Sequence, residues 1–409
     1  METGVPQTMS ITLSERVNRL KPSASIAAKK RVGELQAAGR HIVDFTLGEP
    51  DLDTPAFIME AAIAAMRAGQ THYTATQGIP ALRQAIARKF RRDNGIEIDP
   101  AQVIVGNGAK QLIYEAFAAT LNPGDEVIVP SPYWVSYPDI VSVNGGRPVI
   151  LPCPEEDGFL LSAEALEAAI TPKTRWLILN SPGNPTGAVY GRERLAALTK
   201  VLDRHPHVAL MTDEIYEHLV YDGVKAHSIA AVEPKLKGRT LTVNGASKAY
   251  AMTGWRVGYA GGPKAMIAAM MNMQGQATAG VSTIGQAAVL AALEGPQDLI
   301  QSHRADYENR RNLVVGWLRE ARGITCHKPE GAFYVFPNIA GCIGKTTPGG
   351  RKIETDTDFV AALLEERHVA TVQGAAYGMS PYFRISYATD LESLREGCKR
   401  IQEFCAELR

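Results

Sequence analysis

Short apolar runs punctuate the middle of the chain at Val127-Ile128-Val129, Val149-Ile150-Leu151, Leu177-Ile178-Leu179, Val208-Ala209-Leu210-Met211 and Leu241-Thr242-Val243. Each is strand-sized, and most are separated by segments of helical period. Continuous apolar runs alternating with helices predict a mainly parallel sheet covered on both faces. In such a sheet functional side chains gather just past the carboxyl ends of the strands. The residues that follow each run are therefore where chemistry is expected.

The helical pattern is clearest where Leu82, Ile86 and Phe90 recur every fourth position, after Pro80 at a first helical position and before an Asn94-Gly95 stop. Arg16 to Leu20 and Ile26 to Ala38 also read as helices, with Gly39 closing the second. Val103-Ile104-Val105 is a further apolar run, followed by a glycine turn and a helix carrying Leu112, Ile113, Ala116 and Phe117. Beyond Arg256, Met266, Met270, Met271 and Met273 fall at helical spacing and read as core. A helix from Pro296 through Trp317 leads to Gly331-Ala332-Phe333-Tyr334-Val335-Phe336 and Val369-Ala370-Thr371-Val372, predicted to be strands of a second, smaller sheet. The Gly341 to Lys352 stretch reads as an exposed loop.

A length of 409 residues predicts one large domain and a smaller one. Lys+Arg and Asp+Glu are equal at 43, which points away from nucleic acid and anionic membrane as main partners. No apolar span is long enough for a membrane helix, and the first residues do not pattern as a secretory signal, so the expected compartment is the cytoplasm. The five cysteines have no Cys-x-x-Cys pair and read as reduced packing residues.

The candidate chemistry follows the apolar runs. After Leu241-Thr242-Val243 comes a lysine among small residues and an arginine between two glycines, Ser247-Lys248 and Gly254-Trp255-Arg256-Val257-Gly258. An amine in a tight apolar pocket loses charge to desolvation, and its neutral form can condense with a carbonyl. Gly106-Asn107-Gly108-Ala109-Lys110 joins a strand to a helix start, where free N–H groups and a positive dipole end suit a phosphate. It is neither a dinucleotide fingerprint nor a P-loop. Lys110 stands at the helix end where a cation is unfavourable. Asp213 and Glu214 end the Val208 run without the histidines or cysteines of a metal set, so no metal is expected.

The stretch Ser247-Lys248-x5-Gly254-Trp255-Arg256-x-Gly258 resembles the lysine signature of the class I pyridoxal-phosphate aminotransferases, closest to bacterial aspartate aminotransferases of subgroup Ib. The resemblance extends from about Ser14 to the end of the chain. Its further pieces are Gly48-Glu49-Pro50-Asp51, the segment from Tyr73 to Gly78, Gly108-Ala109-Lys110-Gln111, Asn184-Pro185-Thr186-Gly187, Asp213-Glu214-Ile215-Tyr216 and Arg384. It implies an α/β fold with a mainly parallel, seven-stranded type of sheet in a large domain, 49–304. An N-terminal arm, 1–14, and a small α+β domain from 15–48 and 305–409 complete the chain.

By the same resemblance Lys248 holds pyridoxal 5'-phosphate and moves the α-proton, and Asp213 keeps the ring nitrogen protonated. Tyr216 and Asn184 meet the cofactor's phenolic oxygen, Trp134 lies against its ring, and Arg256 with the Gly108-Ala109 turn holds its phosphate. Tyr73 reaches the phosphate of the neighbouring subunit, which makes a homodimer with shared sites part of the expectation. Arg384 grips the substrate α-carboxylate, Lys110 its side-chain carboxylate, and the Gly48 backbone lies near the substrate. The implied reaction is amino transfer from L-aspartate or glutamate to a 2-oxo acid such as 2-oxoglutarate, with prephenate or aromatic substrates as the alternative. Lys21 resembles a residue linked to that breadth. Gly245 departs from the family, where serine is common, and Ser247 is the candidate to compensate. A lyase on the same fold is a rival; a DNA-binding regulator would need a basic domain that the sequence lacks.

Overall fold

A computed structural model describes residues 11–20 and 24–409, with the side chains of 24–29 excepted. Lys21 and most of the expected arm lie outside the described residues. Seven strands form the large sheet in the order Val103–Gly106, Gly258–Gly261, Thr240–Gly245, Ala209–Asp213, Thr174–Asn180, Glu126–Ser131 and Arg147–Pro152. All neighbours are parallel except Gly258–Gly261, which runs antiparallel to both of its own. Every apolar run predicted as a strand of this sheet is one. The seventh, Gly258-Tyr259-Ala260-Gly261, escaped the pattern because two of its four residues are glycines.

Those glycines have a packing reason. A Cβ on Gly258 would lie 2.3 Å from the backbone nitrogen of Ala109, and one on Gly261 would lie 2.5 Å from Ile98. The strand is inserted where neighbouring elements leave room only for backbone. Helices cover both faces: Pro80–Lys89 buries Leu82 and Ile86 on one, while Ala109–Thr120 buries Leu112, Ala116 and Phe117 on the other. The first ends as predicted, with Gly95 in the left-handed region after a wider turn at Phe90–Asn94.

The second group of strands differs from the expectation. Tyr334–Val335, Phe383–Ser386 and Val372–Gln373 form a three-stranded antiparallel sheet, whereas Val369–Ala370 pairs in parallel with Val43–Asp44 in a separate pair. The run at 369–372 is thus divided between two sheets, its first half pairing with Val43–Asp44 and its end with Phe383–Ser386. One apolar cluster joins Val43 and Phe45 to Tyr307, Phe333, Phe383 and Phe404, so both ends of the chain share a core. The loop at 341–352 is only partly exposed: Cys342 and Thr347 are buried. All five cysteines are free and buried, and among the described residues no helix is long and apolar enough to cross a membrane.

Candidate active site

The carboxyl edge of the large sheet forms a wall of a cavity of about 450 Å³. Asn180 and Asp213 are the last residues of their strands, and Lys248 follows three residues after Gly245. Ala109 and Lys110 open the helix that leaves Val103–Gly106. Arg256 precedes Gly258, which pairs with both Gly106 and Gly245. An antiparallel strand begins where its parallel neighbours end, so Arg256 arrives at the same edge as the rest.

Ten of the residues singled out in the sequence line this cavity: Gly48, Ala109, Lys110, Trp134, Asn184, Asp213, Tyr216, Lys248, Arg256 and Arg384. Gly108 stands directly behind, as the residue before the helix, with φ 82°. A Cβ there would come within 2.5 Å of the Arg256 guanidinium, and the positive φ itself calls for glycine. Arg256 itself takes φ 55°, an uncommon left-handed conformation for a non-glycine residue, and donates from Nη1 to the Thr253 carbonyl at 2.8 Å. Tyr73 is not among the lining residues. It is 98% exposed on this single chain.

Lys248 is partly buried in the cavity wall, donates to the Gly48 carbonyl, and sits 5.7 Å from the ring centres of Tyr216 and Phe333. Burial pulls its amine down to about 8, with Arg384 and Arg256 acting the same way and Glu49 and Asp213 opposing. Burial raises the carboxyl of Asp213, against a 2.7 Å hydrogen bond from Tyr137, the Ile215 N–H and the Lys248 charge. Lys110 is lowered by burial and by Arg256, and its ammonium lies 4.7 Å from the Trp134 ring centre. Tyr216 and Tyr334 share a hydrogen bond of 2.7 Å, and burial pushes both phenols up.

Arg384 lies in a strand buried along its whole length, contrary to the solvent position that an alternating strand suggests. Its guanidinium is sandwiched by Tyr334 and Tyr377, donates to the Thr46 carbonyl at 2.6 Å and to Asn184 Oδ1 at 3.1 Å, and keeps Nε without a partner among the described residues. Gly245 is crowded: a Cβ would stand 3.0 Å from Ile215 and 3.2 Å from Gly258. Ser247, by contrast, lines the cavity.

A family model described as aminotransferase class I and II matches residues 40–401. The chain belongs to that family. It is 57% identical over 396 residues to an aspartate/prephenate aminotransferase of Cereibacter sphaeroides, covering 97% of this chain and 99% of the relative. It is 50% identical to the aspartate aminotransferase of Rhizobium meliloti strain 1021, over 97% of this chain and 96% of that one. The crystal structure of the aspartate aminotransferase from Rhizobium meliloti superposes with a TM-score of 0.96 at 49% identity, over 98% of this chain and 100% of the other. That of Thermus thermophilus, solved with maleate, gives 0.90 at 42%, over 97% and 100%.

Tyr137, Asn180 and Tyr334 are among the members of the cavity that went unassigned in the sequence. Tyr137 belongs to an aromatic cluster whose commoner meaning is packing, yet its phenol is the partner of Asp213. Asn180 opens the Asn-Ser-Pro-Gly-Asn turn; its side chain donates to the Asp213 carbonyl at 2.9 Å and accepts from the Asn184 N–H at 2.9 Å, tying two strand ends together. Tyr334 falls in a run read as plain strand, and only the neighbouring Tyr216 reveals its use.

Proposed function

We propose that this chain is a pyridoxal-phosphate-dependent aminotransferase that moves an amino group between L-aspartate or L-glutamate and a 2-oxo acid such as 2-oxoglutarate, working as a homodimer. The observation that carries the reading is a buried lysine amine near 8 that shares one cavity with a buried aspartate and two arginines. The donor set fits the cofactor. Lys248 would take its carbonyl, Asp213 its ring nitrogen, and Trp134 a face of its ring; Asn184 and Tyr216 would meet its phenolic oxygen. The helix start at Gly108-Ala109 and Arg256 would hold its phosphate, a placement that the glycine-only conformation of Gly108 favours. Tyr73 of a second copy would add to that phosphate site, which its exposure on one chain permits.

When bound, pyridoxal phosphate supplies a carbonyl that condenses with amines and a protonated ring that accepts the electron pair left by α-proton removal. The residues of the chain do the rest. At neutral pH an amine near 8 is uncharged in roughly a tenth of the molecules, enough to act without further activation. Released from the carbonyl, Lys248 Nζ takes the proton from the substrate α-carbon and holds it for return. Arg384 orients the α-carboxylate with its two-pronged guanidinium, which lies 4.6 and 5.3 Å from the ring centres of Tyr334 and Tyr377. Lys110, in the same lining, suits a second carboxylate; the Thermus relative was solved with maleate, which is a dicarboxylate.

The test is a half-reaction. The yellow, pyridoxal-loaded protein mixed with L-aspartate and no acceptor should lose its visible band as the pyridoxamine form appears, with about one oxaloacetate per site. No spectral change with aspartate or glutamate sinks the dicarboxylate reading. Prephenate is a second acceptor to assay, favoured by the name of the Cereibacter sphaeroides relative.

A further inference from the structure

Cations dominate the cavity, with Lys110, Lys248, Arg256 and Arg384 in its lining, and Glu49 is the carboxylate that joins Asp213 there. Glu49 has no role in the reading above. Its Oε2 accepts a 2.8 Å hydrogen bond from the Thr253 hydroxyl, across 204 residues of sequence. The carbonyl of Thr253 accepts from Arg256, and the carbonyl of Gly48, one residue before Glu49, accepts from Lys248. Two turns from distant parts of the chain are thereby fastened together at the point where each touches a functional cation.

We propose that Glu49 and Thr253 form a latch that positions Lys248: the hydrogen bond fixes the Gly48-Glu49 turn over the lysine, and the held carboxylate keeps a negative charge facing its amine. Glu49 is a positioning residue, acting on the substrate only through Lys248. The inference rests on the reading of Lys248 as the reactive amine. The charged and titratable groups facing that amine are Glu49, Asp213, Arg384 and Arg256, with the phenol of Tyr216 beside them. Glu49 is the foremost of the charges that raise it, so losing the carboxylate lowers the amine further.

The experiment labels the full-length protein, freed of cofactor, with an amine-directed reagent across pH 6 to 10 and follows the Lys248 peptide by mass spectrometry. The wild-type midpoint is expected near 8. Glu49→Gln keeps an acceptor for Thr253 and removes the charge; its midpoint should fall by about half a unit, so that labelling at pH 7 is roughly threefold faster. Thr253→Val keeps the charge and releases it, and should shift the midpoint in the same direction. An unchanged midpoint in Glu49→Gln overturns the proposal. A shift in Glu49→Gln with none in Thr253→Val overturns the latch. Unaltered thermal unfolding in both variants separates these outcomes from misfolding. Pyridoxal phosphate added to the wild type should block the labelling, and failure to protect Lys248 counts against the cofactor reading rather than against the latch.

Discussion

On the proposed reading Lys248 carries the chemistry, and burial against the cavity wall lowers its amine to about 8, which leaves some neutral amine at working pH. Lys248→Ala should lower turnover by at least about 10⁴-fold and abolish the bound cofactor's imine absorption, read by stopped flow and by the visible spectrum. Lys110 makes a narrower prediction. Its ammonium lies against Trp134, so Lys110→Met should keep the packing and lose the charge. The expected cost is roughly 1.5–3 kcal/mol in kcat/KM for aspartate, the range for a hydrogen bond to a charged group, with little change for phenylalanine. Equal losses on both amino acids would show that Lys110 serves the cofactor instead of the substrate. Both residues were singled out in the sequence, since each sits in a spaced motif, and both line the cavity. The hydrogen-bond partners of Asp213 and Tyr216 were not legible there: Tyr137 and Tyr334 look like core aromatics, and only the fold puts their phenols against Asp213 and Tyr216.

At the scale of the element, the turn after Asp213 is held from behind. Lys89, at the end of its helix, is buried and paired with Glu217, while Asn94 accepts from Lys89 at 2.6 Å and donates to Glu214 at 2.7 Å. Lys89→Met strands Glu217 without its cation and should cost about 3 kcal/mol in urea unfolding, the low end for breaking a buried pair. Glu214 gives the pH dependence. Burial, and then Glu217, push its carboxyl up to about 7 from an ordinary value of 4.5. The folded chain keeps a proton there that the unfolded chain releases, so this group's contribution to stability falls as pH rises through that window. Glu214→Gln should flatten the decline in urea midpoint between pH 5 and 7. This cluster left no trace in the sequence, because Lys89 and Glu217 stand 128 residues apart and meet only through the fold.

The whole molecule raises the question of a second copy. Tyr73 is almost fully exposed on one chain and is not in the lining of that chain's own cavity. If it serves a site across a two-fold axis, mixing Lys248→Ala with Tyr73→Ala chains leaves one site complete in each mixed dimer. Random exchange should then restore about a quarter of wild-type activity, half of the dimers being mixed and half of their sites complete. Recovery no greater than the average of the two parents would confine each site to a single chain.

The sequence by itself determined the kind of sheet, the positions of six of its seven strands and the residues at their carboxyl ends. Continuous apolar runs and spaced motifs are local properties, readable without knowing what lies opposite. The tertiary structure decided what depends on close approach between distant segments. The Gly258–Gly261 strand is defined by its pairing with Val103–Gly106 and Thr240–Gly245, and its neighbours leave room for nothing larger than backbone at Gly258. The run at 369–372 divides between two sheets because Val43–Asp44 returns to pair with its first half. Arg384 is buried rather than solvated because Tyr334, Tyr377, Asn184 and the Thr46 carbonyl surround it. A guanidinium leaves water only where such partners converge, and convergence over hundreds of residues is a property of the fold.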